Sequence, residues 1–133
     1  MSTERALDVV AAVVLRDGLV FAARRSPEKA QGGKWEFPGG KIEPGETARA
    51  ALMREIKEEL GVQLSVRRHF ATSTTQVDDL KIRLRCFLAD FVDGEPVESA
   101  DHDLLRWVPS EELVELDWAP ADLPAVALLS TQG

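Results

Sequence analysis

The sequence from Gly39 to Val62 reads GGKIEPGETARAALMREIKEELGV. Its first seven residues are rich in glycine and proline, a composition that favours a turn. The remainder consists mainly of Ala, Leu, Met, Arg, Lys and Glu, which are strong helix formers. Thr47 is suited to the N-cap, and Gly61 stands where a helix would end. The stretch therefore predicts a loop that leads directly into a helix.

Three glutamates, Glu55, Glu58 and Glu59, lie near the end of this predicted helix. At about 100° per residue, positions i, i+3 and i+4 fall on one stripe of a helix. Carboxylates on one stripe repel each other unless a positive charge lies between them. Clustered carboxylate oxygens suit a hard divalent cation such as Mg²⁺. The alternative is a solvated, Glu-rich surface helix, but such a face usually balances its charges with Lys at i+4.

The spacing of these residues resembles the signature of the Nudix hydrolases. At about 7% per residue type, seven fixed identities would coincide by chance about once in 10⁸ windows. The resemblance implies an α/β protein, a Nudix-type α/β/α sandwich with a mixed β-sheet. The signature is filled throughout by Gly40, Glu46, Arg54, Glu55, Glu58, Glu59 and Gly61, with apolar Ile56 and Val62 at the expected places.

Length and composition describe an ordinary globular protein. The 133 residues fit one domain, expected to span residues 1–133, and 44% of them are hydrophobic while 29% are charged. The net charge of −7, with no basic stripe, argues against binding to a nucleic acid polymer. A nucleotide substrate remains compatible with this charge, because bound metal ions invert the local charge of an acidic site.

Cysteine usage and hydropathy indicate a cytoplasmic protein without membrane contact. The single cysteine, Cys86, cannot form an intramolecular disulfide and suits a reducing compartment. The apolar run from Val9 to Leu15 is seven residues long, whereas a membrane helix needs about 20. The first residues lack a signal-peptide pattern. We expect a monomer or a homodimer.

Hydrophobic patterning outside the signature predicts mainly strands. Leu80 to Phe91 alternates most clearly, with Cys86 on its apolar face as a small core residue. Helices are predicted to start near Pro109 and near Asp122. The other predicted strands and turns are Val9–Leu15, a hairpin turn at Asp17-Gly18, Leu19–Ala23, a partly alternating segment from Val62 to Gln76, turns at 76–79 and 93–96, and Leu104–Val108.

The segment WEFPGGKIEPGE, residues 35–46, resembles the MutT-like and CTP-pyrophosphohydrolase branch of the family. That resemblance places Arg25 at the substrate phosphates, which its planar fork matches, and Phe37 at the base pocket. Lys41, in the glycine loop, could reach phosphate oxygens. The alternatives are solvated charges for Arg25 and Lys41 and core packing for Phe37.

Asp122 is the candidate base-reading residue. It has a simple explanation as an N-cap with Pro124 in the first helical turn. The segment from Trp118 to Pro124 nevertheless resembles the one that supplies an Asn or Asp to the base edge in MutT-like enzymes. An ionised carboxylate only accepts hydrogen bonds. It would pair with the cytosine 4-amino group or with N1–H and the 2-amino group of guanine, which predicts CTP, dCTP, their 5-substituted forms or 8-oxo-dGTP as substrates.

The resemblance also assigns the reaction half of the site. It implies that Mg²⁺, or Mn²⁺, is bound by Glu55, Glu58 and Glu59 with a backbone carbonyl at or near Gly40. It places Arg54 where it orients these carboxylates and Glu46 at the loop–helix junction. The general base is left open between Glu58, Glu59 and a loop acid, for which Asp101 matches the place and Glu98, His102 and Asp103 are competitors.

The predicted activity is Mg²⁺-dependent hydrolysis of a nucleoside triphosphate to the monophosphate and pyrophosphate, by attack of water on the β-phosphorus. Such an activity would remove damaged nucleotides or control cytidine pools. One alternative is a Nudix hydrolase of another nucleoside diphosphate derivative, such as ADP-ribose, a nucleotide sugar or NADH. Another is a non-catalytic nucleotide-sensing module, which a signature lacking a glutamate would favour.

Overall fold

The computed structural model describes residues 5–131. Within this range the chain forms a mixed sheet of seven strands, two α-helices and two short 3-10 helices. The elements are β1 (Arg5–Arg16), β2 (Leu19–Arg25), β3 (Trp35–Glu36), β4 (Gly39–Lys41), α1 (Ala48–Leu60), β5 (Gln63–Val77), β6 (Leu80–Val92), β7 (His102–Pro109), 3-10 helices at Ser110–Glu115 and Pro120–Asp122, and α2 (Leu123–Ser130).

The central strand β1 organises the sheet. It runs parallel to β6, from Arg5 opposite Leu80 to Val14 opposite Ala89. Its pairs with β2 and β4 are antiparallel, so the sheet is mixed as predicted. The strand order is β3-β2-β1-β6-β5, with β4 paired to β1 and β7 paired to β2. The pairing of β4 with β1 brings the glycine turn to the middle of the sheet.

Both faces of β1 are buried, which explains its uninterrupted apolar run. Val10, Ala12 and Val14 pack in one cluster with Leu52 and Ile56 of α1. On the other face, the second cluster joins β1 residues Ala11 and Val13 to α2 residues Ala125, Val126 and Leu129. The sheet therefore lies between two helical layers, and the predicted α/β/α sandwich is confirmed.

The predicted elements are present with shifted bounds. Asp17 and Gly18 have φ values of 52° and 79°, which suits a two-residue hairpin turn. The turn predicted at 76–79 is shorter, because Gln76 and Val77 still pair with β6. The helix predicted near Pro109 is a 3-10 helix without a side-chain cap. None of the described helices is long and apolar enough to cross a membrane.

Candidate active site

Helix α1 is held at both ends as its sequence predicts. Thr47 Oγ1 accepts a hydrogen bond from the amide of Ala50 at 3.1 Å. Gly61 adopts a left-handed conformation with a φ of 69°, and its amide donates to Lys57 O at 3.0 Å. Glu46 Oε1 accepts from the amide of Glu43 at 3.0 Å, which places Glu46 at the loop–helix junction. These contacts fix the orientation of the glutamate stripe relative to the sheet.

Arg54 connects the loop to the carboxylates of α1. Its Nε and Nη2 donate to the two oxygens of Glu46 at 2.7 and 2.8 Å. Its Nη1 donates to Glu55 Oε1 at 2.8 Å and to Glu58 Oε2 at 3.0 Å. Hydrogen bonds from Arg54 lower the pKa of Glu46 to about 2. Arg54 is thus placed to orient these carboxylates.

Gly40 leaves room for the carboxylate of Glu55. It lies on β4 opposite Val10 of β1. A Cβ atom at this position would stand 1.8 Å from Glu55 Oε2, far inside van der Waals contact. A side chain at residue 40 would therefore displace Glu55. The two residues are adjacent, as the predicted metal site requires.

Glu59 is a buried carboxyl group with an unsatisfied atom. Its side chain is 7% exposed, and Oε2 has no hydrogen-bond partner among the described residues. Burial, together with the nearby carboxylates of Glu36, Glu55 and Asp101, raises the pKa of Glu59 to about 9. Such a concentration of oxygen ligands fits a divalent cation, which would supply the missing positive charge.

Glu58 stands apart from the other two signature glutamates. Its side chain is 58% exposed and pairs with Arg54 four residues earlier. It is not among the residues that line the adjacent cavity, whereas Glu55 and Glu59 are. The helical stripe therefore presents two of its carboxylates to the cavity and the third to solvent and Arg54.

A cavity of about 580 Å³ lies beside this cluster and brings distant parts of the chain together. Its apolar wall contains Leu7, Val9, Ile82 and Leu84 from the parallel pair β1 and β6. Predicted site residues that line it are Arg25, Phe37, Gly40, Lys41, Glu55, Glu59, Asp101 and Asp122.

Asp122 and Phe37 meet at the end of the cavity. The amide of Phe37 donates to Asp122 Oδ2 at 2.9 Å. Asp122 occupies the N-cap position of α2 with Pro124 in the first turn, as predicted, but its side chain makes no capping hydrogen bond. Burial raises the pKa of Asp122 to about 8, opposed by the Phe37 amide. Burial therefore favours the protonated acid in the free protein, and this form can donate one hydrogen bond as well as accept.

Phe37 forms part of a rigid wall. The residue is 2% exposed, and its ring lies 4.8 Å from the ring of Trp118, centroid to centroid. Core packing and cavity lining are thus both true of Phe37. Trp35 is also buried, and its backbone bridges to that of Trp118.

Arg25 faces the cavity, whereas its neighbour Arg24 points away. Arg25 Nη1 lies 3.1 Å from Glu36 Oε2, and Nε donates to Ala30 O at 2.6 Å. Arg24 forms a two-point pair with Asp103 at 2.9 and 2.8 Å. Asp103, one of the competitors for the role of loop acid, is therefore held by Arg24 on the outer surface, away from the cavity.

Asp101 lines the cavity with Glu59 and pairs with Lys29 at 3.0 Å. Its side chain is 37% exposed, so water reaches it. Among its competitors, Glu98 is exposed and absent from the cavity lining, and His102 is buried. Asp101 is the loop acid that the structure brings to the carboxylate cluster.

The sequence predicts no role for Glu36, and it places His102 only among the competitors for the loop acid. His102 Nε2 lies 2.8 Å from Glu36 Oε2. With Glu59, they form a group whose potential ligand atoms lie within 4.8 Å of one another. The sequence signal for Glu36 is a charged residue between two aromatic residues, Trp35 and Phe37, that are both buried. Strand alternation alone would place Glu36 on the face opposite to theirs, so alternation does not predict its place in the site.

Comparison with known proteins identifies the family. The model of the NUDIX domain matches residues 6–129. The chain belongs to the NUDIX family. It is 38% identical over 118 residues to the CTP pyrophosphohydrolase of Escherichia coli K12, covering 89% of this chain and 87% of that protein.

Two further similarities extend over most of the NUDIX chain. A putative 8-oxo-dGTP diphosphatase 2 of Mycobacterium tuberculosis H37Rv is 39% identical over 126 residues, covering 92% of this chain and 86% of the relative. The crystal structure of a MutT protein from Methanosarcina mazei Go1 superposes with a TM-score of 0.87 at 21% identity, covering 99% and 98% of the two chains. The structural likeness shows the fold. The protein is a Nudix hydrolase of the MutT-like type, which confirms the family predicted from the signature and the branch predicted from residues 35–46.

Proposed function

We propose that this protein is a Mg²⁺-dependent pyrophosphohydrolase of nucleoside triphosphates. Its proposed substrates are CTP, dCTP, their 5-substituted forms and 8-oxo-dGTP. The observation that carries the proposal is the cavity shared by a cation-binding carboxylate cluster, at Glu55 and Glu59, and by a buried hydrogen-bonding group, at Asp122. The names of the two relatives at 38% and 39% identity support the same substrate classes.

We place the divalent cation at Glu55 and Glu59, with the backbone at Gly40 and with Glu58 closing the set from the solvent side. The unsatisfied Oε2 of Glu59 supports this placement. Bound Mg²⁺ would neutralise phosphate charge and acidify a coordinated water. Mn²⁺ has similar oxygen preferences and is an alternative ion.

The remaining residues bind and orient the substrate. Arg25 and Lys41 would contact phosphate oxygens, while Phe37 and Asp122 hold the base. Asp101 accepts the proton of the attacking water at a carboxylate oxygen, because it is open to solvent while Glu59 is buried. The water oxygen bonds to the β-phosphorus, and the bond from that phosphorus to the α–β bridging oxygen breaks. The nucleoside monophosphate departs with the bridging oxygen, and the β- and γ-phosphates form pyrophosphate.

The raised pKa of Asp122 modifies the predicted base reading. The protonated acid can donate to a keto oxygen as well as accept from an amino group. Selection of cytosine or guanine over uracil therefore requires the bound base to draw Asp122 into its ionised form. We propose that the amino group of the correct base does so. We further propose that residues 1–133 act as a single cytoplasmic domain, as a monomer or homodimer.

The test is a panel of natural and modified NTPs and dNTPs assayed for pyrophosphate with Mg²⁺. Cytidine nucleotides or 8-oxo-dGTP should rank first, and Asp122→Ala should change that ranking. An unchanged ranking would refute the base-reading role. Absence of pyrophosphate from all nucleotides would instead support a sensing module, and preference for ADP-ribose or a nucleotide sugar would support another Nudix activity.

Glu58→Gln and Glu59→Gln form a matched pair for the metal site. Both should lose most turnover if the full stripe binds the cation. Retained turnover in Glu58→Gln alone would restrict the site to the two glutamates that face the cavity.

A further inference from the structure

His102 is a buried residue that lies between several of the candidate site residues. Its side chain has no exposed surface. Nε2 lies 2.8 Å from Glu36 Oε2, and Nδ1 lies 2.7 Å from Ser99 Oγ. Nδ1 is also 3.9 Å from Glu59 Oε1. A buried imidazole with a partner at each nitrogen is held in one orientation.

Glu36 carries the effect of the imidazole to Arg25. Arg25 Nη1 contacts both oxygens of Glu36, at 3.3 and 3.1 Å. Arg25 and His102 are also opposite one another across β2 and β7, where the register shifts after Arg24. Glu36 thus holds the Arg25 guanidinium on the cavity side, away from the outer surface where Arg24 pairs with Asp103.

Ser99 carries the effect of the imidazole to Asp101. Ser99 Oγ accepts a hydrogen bond from the amide of Asp101 at 3.3 Å. The next amide, that of Ala100, donates to Glu59 O at 3.1 Å. The loop that bears Asp101 is therefore fixed at its backbone by the same hydroxyl that contacts His102 and by the end of α1.

The contacts of His102 define the donor at Nε2. The oxygen of Glu36 that faces this nitrogen is an acceptor, so Nε2–H donates to it. In the tautomer that carries its proton at Nε2, Nδ1 accepts from the Ser99 hydroxyl, whose oxygen accepts from the Asp101 amide. In that arrangement each hydrogen bond donates towards Glu36, and successive bonds strengthen one another.

We propose that His102 is a positioning residue for the hydrolysis reaction. Through Glu36 it fixes the phosphate-binding Arg25, and through Ser99 it fixes the loop of Asp101. The inference rests on the proposed function, in which these two groups bind phosphate and accept the proton of water. Loss of a residue that orients the groups in direct contact with a substrate or metal typically costs about 10-fold to 100-fold in affinity or activity.

Two substitutions separate the two halves of the network. His102→Gln places an amide near the Nε2 position and keeps a donor to Glu36, whereas His102→Asn keeps a group near Nδ1 for Ser99. We expect His102→Asn to raise KM by about 10-fold or more with a smaller change in kcat. We expect His102→Gln to retain KM and to lower kcat. His69→Asn is the matched control, because His69 is exposed on β5.

If both variants showed the same fall in kcat, the same rise in KM and the same fall in Tm, the role of His102 would be merely structural and the proposal would be overturned. So would two variants with wild-type kinetics. The ¹⁵N NMR spectrum of His102 in the unmodified protein provides a test independent of turnover. A proton at Nε2 is expected, and a ring without a proton at Nε2 would overturn the network. If the unmodified protein hydrolyses no nucleotide, the proposed function fails and this spectrum still decides the hydrogen-bond arrangement.

Discussion

The amide of Phe37 donates a 2.9 Å hydrogen bond to Asp122 Oδ2, joining residues that are 85 positions apart in the chain. Phe37 immediately precedes Pro38 and the glycine turn that leads to α1, and Asp122 precedes α2 on the opposite layer. The bond ties the residue proposed to read the base to the chain segment, residues 37 to 40, that borders the proposed metal site.

Asp122→Asn should flatten the pH dependence of stability. The pKa of Asp122 is about 8 in the folded protein, against about 3.9 when unfolded. The folded state therefore binds more protons between these values, and its free energy of unfolding falls as pH rises from about 4 to about 8.

The wild-type decline from this one group amounts to at most about 1.4 kcal/mol per pH unit. Urea unfolding from pH 5 to 8.5 should show the variant losing less stability than the wild type. The asparagine oxygen can still accept from Phe37, so the backbone contact is retained. Parallel pH profiles of the two proteins would contradict the protonated state of Asp122.

Glu59→Gln should stabilise the metal-free protein. The substitution removes a buried carboxyl group that neighbours Glu36, Glu55 and Asp101, and the new amide can donate to them. A gain of about 1 kcal/mol would raise Tm by roughly 4 °C in a domain of this size. Thermal unfolding in EDTA measures it.

The same variant should lose its response to metal. Addition of Mg²⁺ should raise the Tm of the wild type and leave that of Glu59→Gln nearly unchanged, because a ligand that binds the folded state stabilises it. An equal Mg²⁺ shift in both proteins would exclude Glu59 from the metal site.

Gly40→Ala should impair activity more than stability. The new Cβ would meet the flexible end of Glu55, which can move aside at little cost to folding but then leaves the metal site. Gly18→Ala provides the contrast, since it adds strain at a φ of 79° in an open hairpin turn far from the cavity. We expect the Gly18 variant to lose about 1 kcal/mol in urea unfolding with unchanged kcat. The reverse pattern would contradict the assigned role of Gly40.

Arg54→Lys should weaken the binding of Mg²⁺, so that activity requires a higher Mg²⁺ concentration. A single ammonium cannot reproduce the fork that contacts Glu46, Glu55 and Glu58 together. The Mg²⁺ concentration for half-maximal activity should rise by about 10-fold to 100-fold. Arg24→Lys is the control, because Arg24 pairs with Asp103 on the surface, and it should leave the Mg²⁺ titration unaltered. Indistinguishable titrations for the two variants would show that Arg54 acts only on the loop.

Local interactions explain why helix α1 and the arrangement of its glutamates could be predicted from the sequence. The cap at Thr47, the left-handed Gly61 and the spacing of the glutamates depend on residues within a few positions of each other. Such features are encoded by helix periodicity and turn chemistry alone. The spacing also predicted one shared stripe for Glu55, Glu58 and Glu59, although it could not show that Glu58 faces solvent and Arg54.

The sequence by itself determined helix α1 with its three glutamates, the turn that precedes it and the buried central strands, because each is specified by a short-range pattern. Tertiary structure alone decided which glutamates face the cavity, through the packing of Leu52 and Ile56 against β1. It also decided that the Asp122 side chain contacts Phe37 instead of making a capping hydrogen bond to α2, and that His102 meets Glu36. These contacts depend on sheet pairing between segments many residues apart, and burial there changes the protonation of Asp122 in a way that no local pattern predicts.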